Sequence, residues 1–225
     1  MKGIAYGVGV GPGDPELMTL KAIRLIREND VIAVPGREAE NSAAYKIAAE
    51  NVPDIAKKEI LPVYMQMIKD RELLHKQHIK CAKLIEKYLD AGRNVVYITL
   101  GDPSVYSTFT YLQHILENDG YETRLVSGVT SFCAAAARLN IPLAEWDEPI
   151  HILPFVHQKD GEIDKNGTYV LMKTGRSMAE AKRFLKDSGR SAMAVENCGM
   201  QGEKVYFDID DIPDETGYFS LMISK

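Results

Sequence analysis

Residues 94–108 read Asn-Val-Val-Tyr-Ile-Thr-Leu-Gly-Asp-Pro-Ser-Val-Tyr-Ser-Thr. Val95, Val96, Tyr97, Ile98 and Thr99 are β-branched or aromatic, the types that fit a pleated sheet. Apolar side chains fall on both alternations of the run, so the strand predicted for Asn94–Leu100 is buried on both faces. That is the habit of a parallel sheet covered by helices. The strand stops at Gly101, and Asp102-Pro103 follows with Tyr106, Ser107 and Thr108 close behind. A carboxylate and a cluster of hydroxyls at the carboxyl end of a central strand is where an open α/β sheet binds its ligand.

Working outward, shorter runs of the same kind occur at Ile4–Val8, Val31–Val34, Ile60–Val63 and Thr123–Val126. Helical spacing separates them at Leu17–Arg27, Ser42–Glu50, Lys69–Leu89 and Tyr111–Glu117. Alternation of this sort predicts a five-stranded parallel sheet. After Gly128 the rhythm changes. An Ala-rich helix at Ser131–Leu139 leads to strands at Ile150–Leu153, Thr168–Lys173, Ala192–Val195, Lys204–Phe207 and Tyr218–Ile223, with one helix, Met178–Lys186, among the last four. Val195 and Val205 flank a short Gly-containing stretch, which predicts a hairpin and hence a mixed sheet. The expected organisation is two dissimilar α/β domains, 1–128 and 129–225, with the polar stretch His157–Gly167 as a loop.

At about 150 residues per domain, the 225-residue chain suits one large or two small domains. Apolar residues make up 45% and charged residues 26%, an ordinary globular balance. The net charge of −5 offers no basic excess to neutralise phosphates, which argues against a nucleic-acid partner. No apolar stretch approaches the ~20 residues of a bilayer span, so no membrane partner is expected. The chain reaches a glycine loop by Gly7 without a signal-like apolar segment, and its three cysteines are odd in number and far apart. Both features predict a cytoplasmic protein without a disulfide framework.

Three strand-end loops carry the functional signal. The first, Gly7-Val8-Gly9-Val10-Gly11-Pro12-Gly13-Asp14-Pro15, fails the dinucleotide fingerprint, which needs Gly where Pro12 stands. It also lacks the Gly-Lys-Ser/Thr of a Walker A loop. Asp14 as an N-cap with Pro15 behind it is a purely structural account of the same residues. The second loop is Gly101–Thr108, in which Asp102 and Pro103 also read as a helix opening, though the hydroxyls beside the carboxylate favour a ligand. The third is Ser127-Gly128-Val129-Thr130-Ser131-Phe132, with two hydroxyls where one N-cap would do.

Together, VGVGPGDPELMTLKA (8–22), GDPSVYSTF (101–109) and SGVTSF (127–132) resemble the tetrapyrrole methylase family, the class III S-adenosylmethionine-dependent methyltransferases. The resemblance extends from Gly3 to Ser224. It implies S-adenosylmethionine as methyl donor, a tetrapyrrole substrate, a homodimer and an active site in the cleft between the domains. Carried over residue by residue, it implies donor contacts at Pro12, Leu100, Gly101, Asp102, Val105, Thr130, Ser131 and Met172. The first loop then faces the substrate with Gly11 and Gly13, joined by Tyr106 and Ser107. Tyr106-Ser107-Thr108 and the C-terminal Tyr218–Met222 resemble the members that methylate C20 of precorrin-2 or cobalt-factor II in cobalamin synthesis. Another corrin carbon, ribosomal RNA and a diphthamide precursor are the other acceptors the family allows, and a binding module without catalysis is a further alternative.

Substrate carboxylates call for cations, and Arg37, Lys46, His157, Lys173 and Arg176 are candidates, although for any one of them a solvated side chain is the readier reading. Asp102, Tyr106 and Tyr218 are the groups conceivable as a base. His75, His78 and Cys81 lie three apart on one helix, a spacing a metal ion could use. Packing of a helix face accounts for them as well, and no protein metal site is expected. Trp146, in Glu145-Trp146-Asp147-Glu148-Pro149, reads as a rim or subunit contact or a half-buried anchor.

Overall fold

The computed structural model describes residues 1–66, 68, 70–155 and 166–225. The chain divides into two compact units, Met1–Thr130 and Ser131–Lys225. The first holds β1 (Ile4–Gly9), α1 (Leu20–Glu28), β2 (Val31–Pro35), α2 (Ala43–Asn51), β3 (Glu59–Val63), α3 (Arg71–Asp90), β4 (Val95–Thr99), α4 (Phe109–Asn118) and β5 (Glu122–Val126). Its sheet has the order β3-β2-β4-β1-β5, and every pairing is parallel. All five residues of β4 are buried, as expected of a strand with neighbours on both sides and helices on both faces.

On one face, Ala5, Val31, Ala33, Val95 and Tyr97 pack against Cys81, Ala82, Ile85 and Leu89 of α3 and Phe109, Leu112 and Leu116 of α4. Full burial of a Leu or Ile contributes about 1.5–3 kcal/mol. Gly7 belongs to this packing: a Cβ there would lie 2.2 Å from the Phe109 ring. The tilted Tyr97 and Phe109 rings, 5.3 Å apart, complete the contact.

The second unit comprises α5 (Ser131–Leu139), β6 (Ile150–Pro154), β7 (Thr168–Met172), α6 (Met178–Asp187), β8 (Met193–Glu196), β9 (Lys204–Tyr206) and β10 (Ser220–Ser224). Its sheet runs β6-β7-β10-β8-β9 and is mixed: β6 and β7 are parallel, the other pairs antiparallel. Val195 stands opposite Val205, as the hairpin reading required. Leu171, Ala194 and Met222 of the sheet bury against Met178, Ala181 and Leu185 of α6.

Several boundaries differ from the sequence reading, each for a local reason. The helix expected from Leu17 is two elements: a 3-10 turn at Pro15–Leu17 capped by Asp14, then α1, restarted where Thr19 Oγ1 accepts the Ala22 amide at 3.2 Å. Its buried face is Ala22, Leu25 and Ile26, and Leu20 is 85% exposed. Asp102-Pro103 does not open a helix; a turn follows, and α4 begins only at Phe109. The last strand starts at Ser220, leaving Tyr218 and Phe219 exposed. β7 ends at Met172, because Lys173 has φ +59° and cannot continue an extended strand. Lys69, expected to begin α3, lies outside the described residues, as does most of the polar loop; Asp70 caps α3 through the Glu72 and Leu73 amides.

Replacing Gly7 by Ala forces Phe109 out of its place under β1. The urea midpoint should fall by the equivalent of about 1–3 kcal/mol, the usual range for overpacking a core. An unchanged midpoint would show that Phe109 has room to move.

Candidate active site

The carboxyl ends of β4, β1 and β5 lie side by side, with Gly9 opposite Thr99 and Val8 opposite Val126. The three loops picked out in the sequence therefore emerge together, and they are joined through backbone. Gly101 N–H donates to Gly11 O at 2.7 Å and Gly11 N–H to Gly101 O at 3.4 Å, a two-residue antiparallel bridge. Both glycines have positive φ, +71° and +79°. A Cβ on Gly9 would lie 2.4 Å from Gly101 O and 2.8 Å from Gly128 N, and one on Gly128 would lie 2.2 Å from Gly101 O. The main chains of the three loops thus touch where no side chain fits.

Asp102 fastens this contact. Its Oδ2 accepts the Gly128 amide at 2.9 Å, while Oδ1 accepts the Ser104 amide at 2.8 Å and the Ser104 hydroxyl at 2.5 Å. Burial pushes the Asp102 carboxyl up, but the Ser104 and Gly128 hydrogen bonds outweigh it and hold the pKa below its ordinary value. Three of about four acceptor positions of the carboxylate are filled, which leaves one on Oδ2. A carboxylate held ionised in this way is a poor proton acceptor.

The other predicted residues separate into those on the loop rim and those turned inward. Gly11, Pro12, Gly13 and Gly101 are buried, and Leu100, Val105 and Thr130 are half-buried. Thr130 Oγ1 is buried with no hydrogen-bond partner among the described residues. Tyr106, held at φ +49°, is 48% exposed. Ser107 is buried: its hydroxyl meets Thr99 Oγ1 at 3.2 Å and accepts the Phe109 amide at 3.2 Å, which ties it to the first turn of α4. Thr108 meets the Tyr97 hydroxyl at 3.0 Å, and burial pushes Tyr97 up to about 12.

In the second unit Ser131 opens α5 and Met172 closes β7. Met172 pairs with Leu221, and the neighbouring Ser220 with Glu196. Here too a carboxylate fastens a glycine: Glu196 Oε1 accepts the Gly217 amide at 2.8 Å, and a Cβ on Gly175 would lie 2.5 Å from Gly217 O. Beside Gly217, Thr216 Oγ1 is buried without a partner among the described residues. Neither Glu196 nor Thr216 was legible in the sequence, since each becomes distinctive only through the antiparallel pairing of distant strands.

Arg37 and Tyr64 follow β2 and β3 at the same edge of the first sheet, with the guanidinium 4.4 Å from the ring centroid. Lys46, Lys173 and Arg176 are exposed, and His157 lies outside the described residues. Of the His75/His78/Cys81 row, His75 is exposed and the other two are packing. His78 is buried and stacks on Tyr111 at 4.7 Å, and Cys81 sits in the core with Sγ 3.5 Å from Tyr64 O. Burial lowers the His78 pKa, with His75 adding to the effect, and burial raises that of the Cys81 thiol. Among the described residues no cluster of His, Cys, Asp or Glu could hold a metal. Trp146 is fully exposed at φ +54°, not half-buried.

Asp102 makes acid sensitivity predictable. Its pKa is depressed on folding, so its stabilisation is complete above the unfolded value of about 3.9 and is lost as pH falls through the folded value. Asp102→Asn should therefore destabilise the protein at pH 7 by about 1–3 kcal/mol and converge with the unmodified chain in acid. Equal denaturation midpoints at pH 7 would rule out the carboxylate as a fastener.

Comparison with known proteins adds the lineage. Residues 5–213 match the family model for Tetrapyrrole (Corrin/Porphyrin) Methylases. A Methanocaldococcus jannaschii protein described as a probable cobalt-precorrin-2 C(20)-methyltransferase is 38% identical over 225 residues, covering 98% of this chain and 95% of its own. The precorrin-2 C(20)-methyltransferase of a Sinorhizobium species is 28% identical over 235 residues, covering 98% and 94%. Among solved structures, the Thermus thermophilus uroporphyrin-III C-methyltransferase complexed with S-adenosyl homocysteine matches the fold with a TM-score of 0.69 at 24% identity, over 99% of this chain and 97% of that one. A parallel-sheet unit with fused glycine loops, a mixed-sheet unit after it and a family match across both lead to one conclusion: the chain belongs to the tetrapyrrole methylase family.

Proposed function

We propose that the protein transfers a methyl group from S-adenosylmethionine to C20 of a precorrin-2-type tetrapyrrole in cobalamin synthesis. The observation that carries the reading is the 38% identity, across nearly both full lengths, to the relative described as a cobalt-precorrin-2 C(20)-methyltransferase. That relative also favours the cobalt-containing substrate over the metal-free one.

The site's chemistry fits the donor. An unpaired hydroxyl away from water costs about 1–3 kcal/mol, and a polar group of a bound ligand would satisfy Thr130 Oγ1. The free position on Asp102 Oδ2 accepts a hydrogen bond from an amine or ribose hydroxyl. Leu100, Gly101 and Val105 contribute backbone and apolar surface, and Pro12 a rigid wall. Ser131 and the thioether of Met172, a flexible partner for an aromatic ring, are the second unit's proposed contributions. Bound S-adenosylmethionine supplies an electrophilic methyl on a sulfonium. The chain's part is to hold donor and acceptor in line and keep water out. Gly11, Gly13 and Tyr106 lie towards the substrate in this reading. Ser107 is left out because its hydroxyl is committed to α4. No residue is assigned to the C20 proton.

The same reading takes the protein as a cytoplasmic homodimer, on the family resemblance. Light scattering at twice the monomer mass supports the dimer, and a monomer mass rejects it.

Anaerobic incubation with methyl-labelled S-adenosylmethionine and either cobalt-factor II or precorrin-2 tests the activity. The expected product carries one label at C20 and forms faster from the cobalt substrate. Label at another carbon, or in neither tetrapyrrole, would overturn the assignment.

A further inference from the structure

We propose that Arg37 receives a carboxylate of the tetrapyrrole substrate and that Tyr64 positions it for that purpose; the inference rests on the function proposed above. The parallel sheet brings the carboxyl ends of β2 and β3 to the edge where the glycine loops emerge. β2 is the neighbour of β4 on that edge, with Ala33 opposite Tyr97. Pro35 pairs with Val63, and the Gly36 amide donates to Val63 O at 3.1 Å, so the residues just beyond, Arg37 and Tyr64, are held together. The Arg37 guanidinium stacks over the Tyr64 ring and makes no ion pair among the described residues.

That arrangement contrasts with three other arginines of the same unit. Arg24 is paired with Glu28 at 2.9 Å, Arg93 with Glu59 at 2.6 Å and Arg124 with Glu122 at 2.6 Å. Lys21, Arg24 and Arg124 also line a cavity of about 380 Å³ beside α1 and β5, but two of those three cations are already matched by acids. Arg37 has an acid next to it in sequence, yet Glu38 turns away and accepts the Asn41 side-chain amide at 2.5 Å. The result is an exposed, uncompensated guanidinium, oriented by an aromatic face, on the ligand-binding edge. A planar fork fixed in this way suits two-point recognition of a carboxylate. The ring orients it without consuming its charge.

Equilibrium titration with cobalt-factor II, followed by its absorbance, tests this independently of turnover. Arg37→Gln should weaken tetrapyrrole binding about tenfold and lower its salt sensitivity, with S-adenosyl homocysteine binding unchanged. Arg37→Lys should recover only part of the loss, since an ammonium lacks the fork. Tyr64→Leu should raise the tetrapyrrole KM about threefold at unchanged kcat, and Tyr64→Phe, which keeps the ring, should restore it. Unchanged cobalt-factor II affinity in Arg37→Gln would overturn the proposal while leaving the methylation reading intact. Tight binding that depends on Arg37 without any methyl transfer would do the reverse.

Discussion

The contact on which the first unit depends is small. Three glycines, Gly9, Gly101 and Gly128, bring the ends of β1, β4 and β5 into main-chain contact, and one buried carboxylate, Asp102, holds the Gly128 amide across them. Each part requires the others. Without glycine the loops cannot approach, and without the carboxylate the Gly128 amide loses its acceptor. Without the order β4-β1-β5 the loops would not be neighbours. A rim built from backbone in this way leaves little freedom to reorganise when a ligand arrives, so less ordering has to be supplied at binding.

The second unit repeats the device with different residues. Glu196, at the end of β8, holds the Gly217 amide, and Gly175 packs against Gly217 O. Both carboxylates are buried, Glu196 at the end of β8 and Asp102 in the loop after β4, and both restrain a glycine far along the chain. Each glycine so held lies within two residues of a hydroxyl unpaired among the described residues, Thr130 in the first unit and Thr216 in the second. Fixed backbone beside unsatisfied polar atoms is the combination expected where a ligand completes the hydrogen bonding.

Much of this was legible in the sequence because its cause is local. The β4 run is apolar on both alternations, and only a doubly covered strand suits it; the burial of all five residues follows. The change of rhythm after Gly128 marked the mixed sheet, and the Val195/Val205 hairpin came with it. What the sequence hid depends on tertiary partners. Gly7 reads as part of a ligand loop but makes room for Phe109. Ser107 reads as a substrate hydroxyl but starts α4. Asp102 reads as a helix cap and proves to reach across to Gly128, a partner 26 residues on. The buried face of α1 was hidden too, because Leu20 fits helical spacing as well as Leu25 does, and only tertiary packing decides which of the two is covered.

The central claim is that the rim exists before any ligand binds. Amide hydrogen exchange at Gly101 and Gly128 in the ligand-free protein measures it directly. Pre-formed bonds from Gly101 to Gly11 and from Gly128 to Asp102 predict slow exchange at both amides, changing little when S-adenosyl homocysteine is added. Fast exchange in the free protein, slowed only by the ligand, would mean that the ligand assembles the rim, and would contradict the account.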